Sequence, residues 1–414
     1  AIIIYLVNTI IHKRSEKIQG LLSDLTTNAQ QSYSGIRVIK SYVQEKSMLG
    51  FFNSNSEAYK KNAIGLAKVE SLYFPSMALM IGLSTLITVG IGSFQAVTDP
   101  ATRAGIIVEF IIYINMLTFP VSAIGWVASM IQRASASQKR INEFLLTVPT
   151  IKEPIDAVEQ EFNGVINFEH VDFTYPHTGI KALKQFNLNI SSGEKVMIVG
   201  RTGSGKSTIA QLLLRFYDPT NGSISINGRP ITEVSLKKLR EKISYVPQDV
   251  FLFSDTVTDN IQFGITGEKM LTAETAASYA SIDKEIRDFP KQYDTLIGER
   301  GVTLSGGQKQ RISIARALMK DSDIIIFDDC LSAVDAKTEY EITKNLNQYL
   351  GDKTAIVITH RIITSINFSQ VIVMNEGSIL EQGTHTDLIK KQGYYAELFR
   401  KQMAGSSEDE LNKI

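Results

Sequence analysis

The sequence predicts a partial α-helical transmembrane bundle followed by an α/β P-loop domain, and three observations carry that prediction. Two long apolar runs, residues 71–97 and 104–132, lie in the first third of the chain. A glycine-rich loop ending in Lys206 and Ser207 directly follows a short strand pattern at 195–199. Around residues 147–162 the pattern changes from long helix-forming stretches to short β-rich runs alternating with helical periods, as in an α/β domain. The 414 residues suffice for about two or three domains, each with its own core.

The run at 71–97 holds no charged residue and exceeds the roughly 20 residues needed to cross a bilayer core. A polar break with Asp99, Pro100 and Arg103 separates it from 104–132, which Glu109 alone interrupts. The two runs read as a transmembrane hairpin. Gly82, Gly90, Gly92, Pro75 and Pro120 suit such helices, because neighbouring helices resatisfy the backbone. Glu109 is near enough to the outer end of its span to reach the headgroups, with the translocation path as the alternative.

Residues 1–11 (AIIIYLVNTII) are apolar, and His12, Lys13 and Arg14 follow them. A secretory signal carries its positive charge before the apolar run, so this start reads as the end of a membrane helix. Basic residues gather at Lys13, Arg14, Lys17, Lys60, Lys61 and Lys68, and again at Arg133, Lys139 and Arg140. The positive-inside rule makes that side cytoplasmic. Residues 1–11 then run inward, 71–97 outward and 104–132 inward, which leaves everything beyond about residue 140 in the cytoplasm. In the polar stretch 13–70, Ile18, Leu21, Leu22, Leu25, Ala29 and Ile36 recur near helical spacing, which predicts helices continuing below the membrane. The segment 35–42 (GIRVIKSY) and the QEKSMLGFF that follows predict a turn and a short helix at their tip.

With 43 basic and 43 acidic residues the net charge is zero, which removes any overall electrostatic case for nucleic acid as a partner. The single cysteine, Cys330, can form no internal disulfide, in keeping with a reducing cytoplasm, and reads as an inert buried residue. His170, His177 and His385 are too scattered for a metal-ligand set, and with Arg201 they read as surface or structural residues.

The chemistry concentrates in the second half. The run KVMIVGRTGSGKST sets a strand before Gly200, Arg201, Thr202, Gly203, Ser204, Gly205, Lys206, Ser207 and Thr208, with a helical pattern beyond. This is a phosphate-binding loop in its proper setting. The glycines let backbone N–H groups turn toward phosphate, the helix start adds positive potential, Lys206 reaches the β- and γ-phosphates, and the Ser207 hydroxyl can bind Mg2+. Downstream, DIIIFDD reads as a buried strand ending in Asp328, a carboxylate that can hold Mg2+ through water. Together the two motifs point to an NTPase. Residues 304–308, LSGGQ, lie about 100 residues after the loop and about 20 before Asp328; in isolation they would be a helix cap.

In this order the motifs resemble the ATP-binding cassette family, and the cassette match spans about residues 163–402. The resemblance implies that Ser305, Gly306, Gly307 and Gln308 close over ATP held by a second cassette. It also implies that Tyr175 stacks on adenine, Gln248 contacts Mg2+ and senses the transport domain, Asp335 links the two sites and His360 contacts the γ-phosphate. Glu299 resembles the acidic loop that meets the transport-domain tip. The upstream part is similar to the fourth to sixth helices of an exporter half-transporter, with GIRVIKSYVQEKSM as the second coupling helix. On that basis residues 1–146 form a partial transmembrane domain, 147–162 a linker, 163–402 the nucleotide-binding domain and 403–414 a disordered tail.

Asp329 departs from the family pattern, which has glutamate after the magnesium aspartate to polarise the attacking water. The carboxylate is kept but its reach shortens by roughly 1.5 Å, so slow hydrolysis is expected. Either the protein is a homodimer that tolerates Asp329, which the retained His360 favours, or it is the weaker-site subunit of a heterodimer. The resemblance implies ATP-driven export of a hydrophobic or amphipathic substrate (lipid, drug or peptide), with ATP and Mg2+ as cofactors. It also implies an integral plasma (inner) membrane protein whose partners are the lipid bilayer and a second half-transporter. A soluble cassette ATPase acting on nucleic acid is the rival that the apolar runs oppose, and an ATP-gated channel or regulator on the same scaffold is a third reading.

Overall fold

The computed structural model describes residues 2–95, 100–154, 163–265, 271–298, 304–320 and 322–411. The chain divides into two compact units, Ala1–Val148 and Pro149–Ile414.

The first unit consists of α1 (Ile2–Ser34), α2 (Ile36–Ser41), α3 (Glu45–Gln95) and α4 (Pro100–Leu145), with α1 packed on α3 and α3 on α4. Arg14 Nη1 donates to the Gly65 carbonyl at 2.8 Å and pins α1 against α3. Gly35 separates α1 from α2, and Val43, at φ 55°, turns the chain into α3, so the predicted turn and short helix are present. The 51 residues of α3 span about 75 Å at ~1.5 Å per residue, more than twice a ~30 Å hydrocarbon core. Its polar half, 45–70, therefore has length to extend beyond a membrane. Pro75 and Pro120 lie inside α3 and α4 without ending them. Pro100 opens α4, where a missing N–H costs nothing, so Pro100 and Arg103 belong to the helix rather than to the polar break. Residues 96–99 of that break, Asp99 included, lie outside the described residues.

Among the described residues, no helix is long and apolar enough to cross a membrane. The faces that are described carry Leu79, Leu86, Phe94, Met116 and Phe119, each more than half exposed. Apolar surface on that scale marks contact with lipid or with other helices.

The second unit runs β1 (Ile166–Thr174), β2 (Lys181–Ile190), β3 (Lys195–Gly200), α5 (Lys206–Leu213), β4 (Asn221–Ile226), β5 (Arg229–Pro230), α6 (Leu236–Lys242) and β6 (Ile243–Val246). It continues with α7 (Val257–Gln262), α8 (Ala273–Tyr279), α9 (Asp283–Arg287), α10 (Gly306–Met319), β7 (Ile324–Asp328), α11 (Ala336–Leu350) and β8 (Thr354–Thr359). It ends with β9 (Gln370–Asn375), β10 (Ser378–Gly383), α12 (His385–Lys391) and α13 (Tyr394–Leu411).

One sheet is antiparallel in the order β2-β1-β4-β5, and the other has the order β10-β9-β3-β8-β7-β6, parallel except at β10. The central strands of the second sheet are buried on both faces, which is why they read as unbroken apolar runs. In β7, Ile324 and Ile326 join the core between the two sheets, while Ile325 and Phe327 join the core under α7, α8, α10 and α11. Strand β3 alternates in the same way, with Val196 and Ile198 on one side and Met197 and Val199 on the other.

Residues 155–162 of the expected linker lie outside the described residues. Helix α13 includes residues 405–411, part of the polar tail whose composition reads as disordered. Its start is anchored by buried Tyr395 and Ala396, and from a formed turn a helix needs only propagation through good formers such as Glu408, Glu410 and Leu411.

Candidate active site

Four parallel neighbours, β3, β8, β7 and β6, end at the same edge of the sheet, with Val199 level with Thr359, Asp328 with Ile358 and Val246 with Phe327. Ligand crevices in such sheets form beyond the carboxyl ends of the strands. The chain therefore brings residues 200–207, Gln248, Asp328, Asp329 and His360 to one place, although they span 160 positions of sequence.

The loop after β3 turns through Gly203 (φ 80°) and Gly205 (φ 93°), and a Cβ at Gly205 would overlap the Ala182 carbonyl. Lys206 Nζ donates to the carbonyls of Gly200 and Arg201, at 2.8 Å each, so the side chain folds back over its own loop. Burial lowers its pKa. Thr202 is exposed and Thr208 is buried at the start of α5. Ser204 Oγ is buried without a hydrogen-bond partner, an orphaned polar atom inside the loop.

The Ser207 hydroxyl donates to Asp328 Oδ1 at 2.8 Å, and the Tyr245 hydroxyl donates to Asp328 Oδ2 at 3.2 Å. Asp328 is buried, and that burial raises its pKa. The next residue, Asp329, has φ 48°, a left-handed conformation that aspartate tolerates better than most side chains. The turn aims its carboxylate at two partners: His360 Nδ1 is 2.8 Å from Oδ1, and Gln248 Nε2 is 3.5 Å from Oδ2. Among the described residues there is no cluster of three or more His, Cys, Asp or Glu suited to a metal. A hydroxyl, an amide and one buried carboxylate instead fit Mg2+, a hard cation that takes oxygen ligands and relies on phosphate for several of them.

Tyr175 follows β1. Its hydroxyl lies 2.9 Å from Thr208 Oγ1 and donates to Gln211 Oε1 at 2.9 Å, while its ring meets Phe173 and Tyr217 edge-on. The phenol is thus tied to the helix behind the loop, a contact that sequence reasoning did not anticipate.

Ser305 caps α10. Its Oγ accepts from Gln308 N at 3.2 Å and Gln308 Oε1 accepts from Ser305 N at 2.9 Å, a complete capping box with Gly306 and Gly307 in its first turn. Gln308 Nε2 and Arg311 Nη1 both donate to Glu285, at 2.9 and 2.6 Å. Burial would raise the pKa of Glu285, but these donors outweigh it and hold the carboxyl below its usual range. The helix start is therefore braced by Glu285 through Gln308 and Arg311. Asp335 caps α11, accepting from Thr338 N at 3.0 Å, and that bond lowers its pKa. Four residues on, Glu339 accepts from Arg361 Nη1 at 2.8 Å, which ties α11 to the segment holding His360.

Glu299 lies outside the described residues. Cys330 is buried, and burial pushes its thiol pKa up, as an inert residue requires. His170 lies against Asn187 and His385 against Tyr395. The residues missed from sequence are Tyr245, Glu285, Glu339 and Arg361. Tyr245 alone left a trace, as a hydroxyl-bearing ring in a short strand three residues before Gln248.

A phosphate loop on a parallel sheet, with a buried aspartate at the end of β7, one strand removed from β3, defines an ATPase of the P-loop class. Residues 183–332 match the family model described as ABC transporter, and residues 1–121 match the ABC transporter transmembrane region. The chain is 40% identical over 410 residues to a probable multidrug resistance ABC transporter ATP-binding/permease protein, YheI, of Bacillus subtilis, covering 99% of this chain and 70% of that protein. It is 34% identical over 412 residues to the ATP-dependent lipid A-core flippase of Legionella pneumophila, covering 99% of this chain and 69% of the relative. A solved structure of a bacterial Atm1-family ABC exporter with ATP bound superposes with a TM-score of 0.80 at 31% identity, over 96% of this chain and 70% of that one. The chain belongs to the ABC transporter family, as a membrane protein whose ATPase is coupled to transport.

Proposed function

We propose that this chain is one half of a dimeric exporter that uses ATP to move a hydrophobic or amphipathic substrate (a lipid, drug or peptide) across the plasma (inner) membrane, with its ATPase unit in the cytoplasm. The observation that carries the proposal is the convergence on Asp329. Its carboxylate lies between His360 and Gln248, one residue from the Ser207–Asp328 pair. The relatives named for multidrug resistance and for lipid A-core flipping support the substrate class.

In this reading Tyr175 flanks the adenine. Residues 200–208 wrap the phosphates with backbone N–H groups, and Lys206 leaves its two carbonyl partners for phosphate oxygen. Ser207, Asp328 and Gln248 would hold Mg2+, whose charge offsets that of the phosphates when bound. Asp329 orients and deprotonates the attacking water, and His360 contacts the γ-phosphate and holds Asp329 in place. Ser305, Gly306, Gly307 and Gln308 face the ATP of the second cassette, and Asp335 connects the two sites. ATP binding closes the cassettes and shifts the membrane helices between inward-facing and outward-facing states, and hydrolysis resets them.

Two identical chains are favoured, because His360 is present and engaged with Asp329. The second reading, a weaker-site subunit of a heterodimer, rests on Asp329 itself. The test is to purify the whole protein alone, measure its oligomeric state and Mg-ATPase with an Asp329→Asn control, and follow uptake of labelled lipid or drug into inverted vesicles. Dimers with an ATPase that Asp329→Asn abolishes, and with ATP-dependent uptake, are expected. A protein inactive until a second half-transporter is supplied would establish the heterodimer. ATPase without any uptake would favour a channel or regulator, and solubility without detergent would favour a soluble ATPase acting on nucleic acid.

A further inference from the structure

Both oxygens of the buried Asp328 carboxylate are occupied, and by side chains from different elements. Ser207, at the start of α5, holds Oδ1 at 2.8 Å, and Tyr245, on β6, holds Oδ2 at 3.2 Å. The strands fix this arrangement. Tyr245 is level with Ile326 on the adjacent strand β7, and its phenol reaches along the sheet to the residue that ends β7. An ionised carboxylate at this depth, with Asp328 only 1% exposed, needs hydrogen-bond donors to stay charged and to keep one rotamer. Tyr245 also begins the short segment that leads through Pro247 to Gln248, and the side chain of Gln248 lies against Asp329. One phenol therefore joins the aspartate at the end of β7 to the loop on its far side.

We propose that Tyr245 is a positioning residue for the Mg2+ site, whose hydroxyl fixes the Asp328 carboxylate so that Oδ1 keeps facing Ser207. The proposal rests on the reading of Asp328 as the magnesium residue. Without the phenolic donor Asp328 loses the partner that sets its rotamer. The metal is then held less firmly, while the phosphate loop itself is untouched. Partners of this kind typically change metal affinity by about 10-fold or more when removed.

The test uses the whole protein in lipid nanodiscs and compares the natural chain with Tyr245→Phe and Asp328→Asn. Mn2+ is titrated into protein loaded with a non-hydrolysable ATP analogue and its binding read by electron paramagnetic resonance. Binding of a fluorescent ATP analogue is measured in EDTA, and ATPase is measured against Mg2+ concentration. For Tyr245→Phe the expected results are Mn2+ affinity weakened about 10-fold, nucleotide affinity in EDTA within about twofold of the natural chain, and a matching rise in the Mg2+ concentration at half-maximal rate. Saturating Mg2+ should restore kcat to within about twofold, which a merely structural defect would not allow. Unchanged Mn2+ affinity in Tyr245→Phe with weakened affinity in Asp328→Asn overturns the role of Tyr245 alone. Unchanged affinity in both overturns the magnesium role of Asp328 and this inference with it. Nucleotide binding lost in EDTA would show that Tyr245 supports the loop rather than the metal, and also overturns it. Should Tyr245→Phe fail to fold, Tyr245→Leu, which also removes the hydroxyl, is titrated in its place with the same outcomes.

Discussion

If Asp329 is the base proposed above, a single methylene at this residue sets the rate. Its left-handed backbone and its 2.8 Å contact with His360 fix where the carboxylate points, while the glutamate usual in the family would reach roughly 1.5 Å further. Asp329→Asn removes the base and should lower kcat of the Mg-ATPase by about 100-fold or more, with KM for ATP within about twofold. Asp329→Glu should raise kcat by about 10-fold, even though a longer side chain at positive φ costs about 1 kcal/mol of stability. Steady-state ATPase of the three proteins checks both. A glutamate variant no faster than the natural chain would mean that His360 and Gln248 already hold the shorter acid at the right distance.

Elements carry the next level of control, because α11 and the loop after β8 are joined through Glu339 with Arg361 and through the Ser365 hydroxyl, which donates to Thr343 Oγ1 at 2.6 Å. Arg361 is 40% exposed and Glu339 only 15%, so the pair is half in water, and its loss should cost about 1–2 kcal/mol rather than the full price of a buried ion pair. Burial already raises the pKa of Glu339, and Arg361→Gln removes the charge that opposes this rise. An acid whose folded pKa lies above its unfolded value favours folding at low pH and loses that advantage as pH rises. The deficit of Arg361→Gln, read as a urea midpoint, should therefore be larger at pH 8 than at pH 5. Asp172 has the opposite sign. The Gln185 amide, with Lys181, holds its carboxyl down to about 2, so its contribution is complete above about pH 4 and fades as pH falls toward 2. Asp172→Asn should lower the urea midpoint at pH 7 and match the natural chain near pH 2.

At this level the limits of sequence reading are physical. Strands β3 and β7 were legible because both faces are buried and positions 196–199 and 324–327 are all apolar, and the loop at 200–208 because phosphate binding dictates its residues. Glu339 and Arg361 stand 22 residues apart, and Tyr245 and Asp328 stand 83 apart. Such pairs exist only because β6, β7 and β8 lie side by side in that order, which no periodicity encodes. The tie from Tyr175 to Thr208 and Gln211 was hidden for the same reason.

For the whole molecule the central question is which chain completes which site. The start of α10 is braced by Glu285 and Arg311, and among the described residues its capping groups bond to α10 and α9 and not to the loop at 200–208. An amide-rich helix end left open in this way suits phosphate brought by another cassette. In a symmetric pair the same surface serves both partners, so each site takes its loop from one chain and its LSGGQ from the other. Lys206→Ala and Ser305→Arg should each abolish ATPase when present in both chains, because every site then carries the defect. Co-expressed, the two variants form mixed dimers in which one site holds both defects and the other holds none. With random pairing roughly half the dimers are mixed, so roughly a quarter of the natural ATPase rate should return. Tandem purification on two tags isolates the mixed dimers and should double that recovery. If the mixed dimers stay silent, either each chain completes its own site or both sites must be intact together. Reversing one Lys206→Ala change within the tandem-purified dimer then separates these cases, since sites completed within one chain would regain activity only if that same chain also carries Ser305.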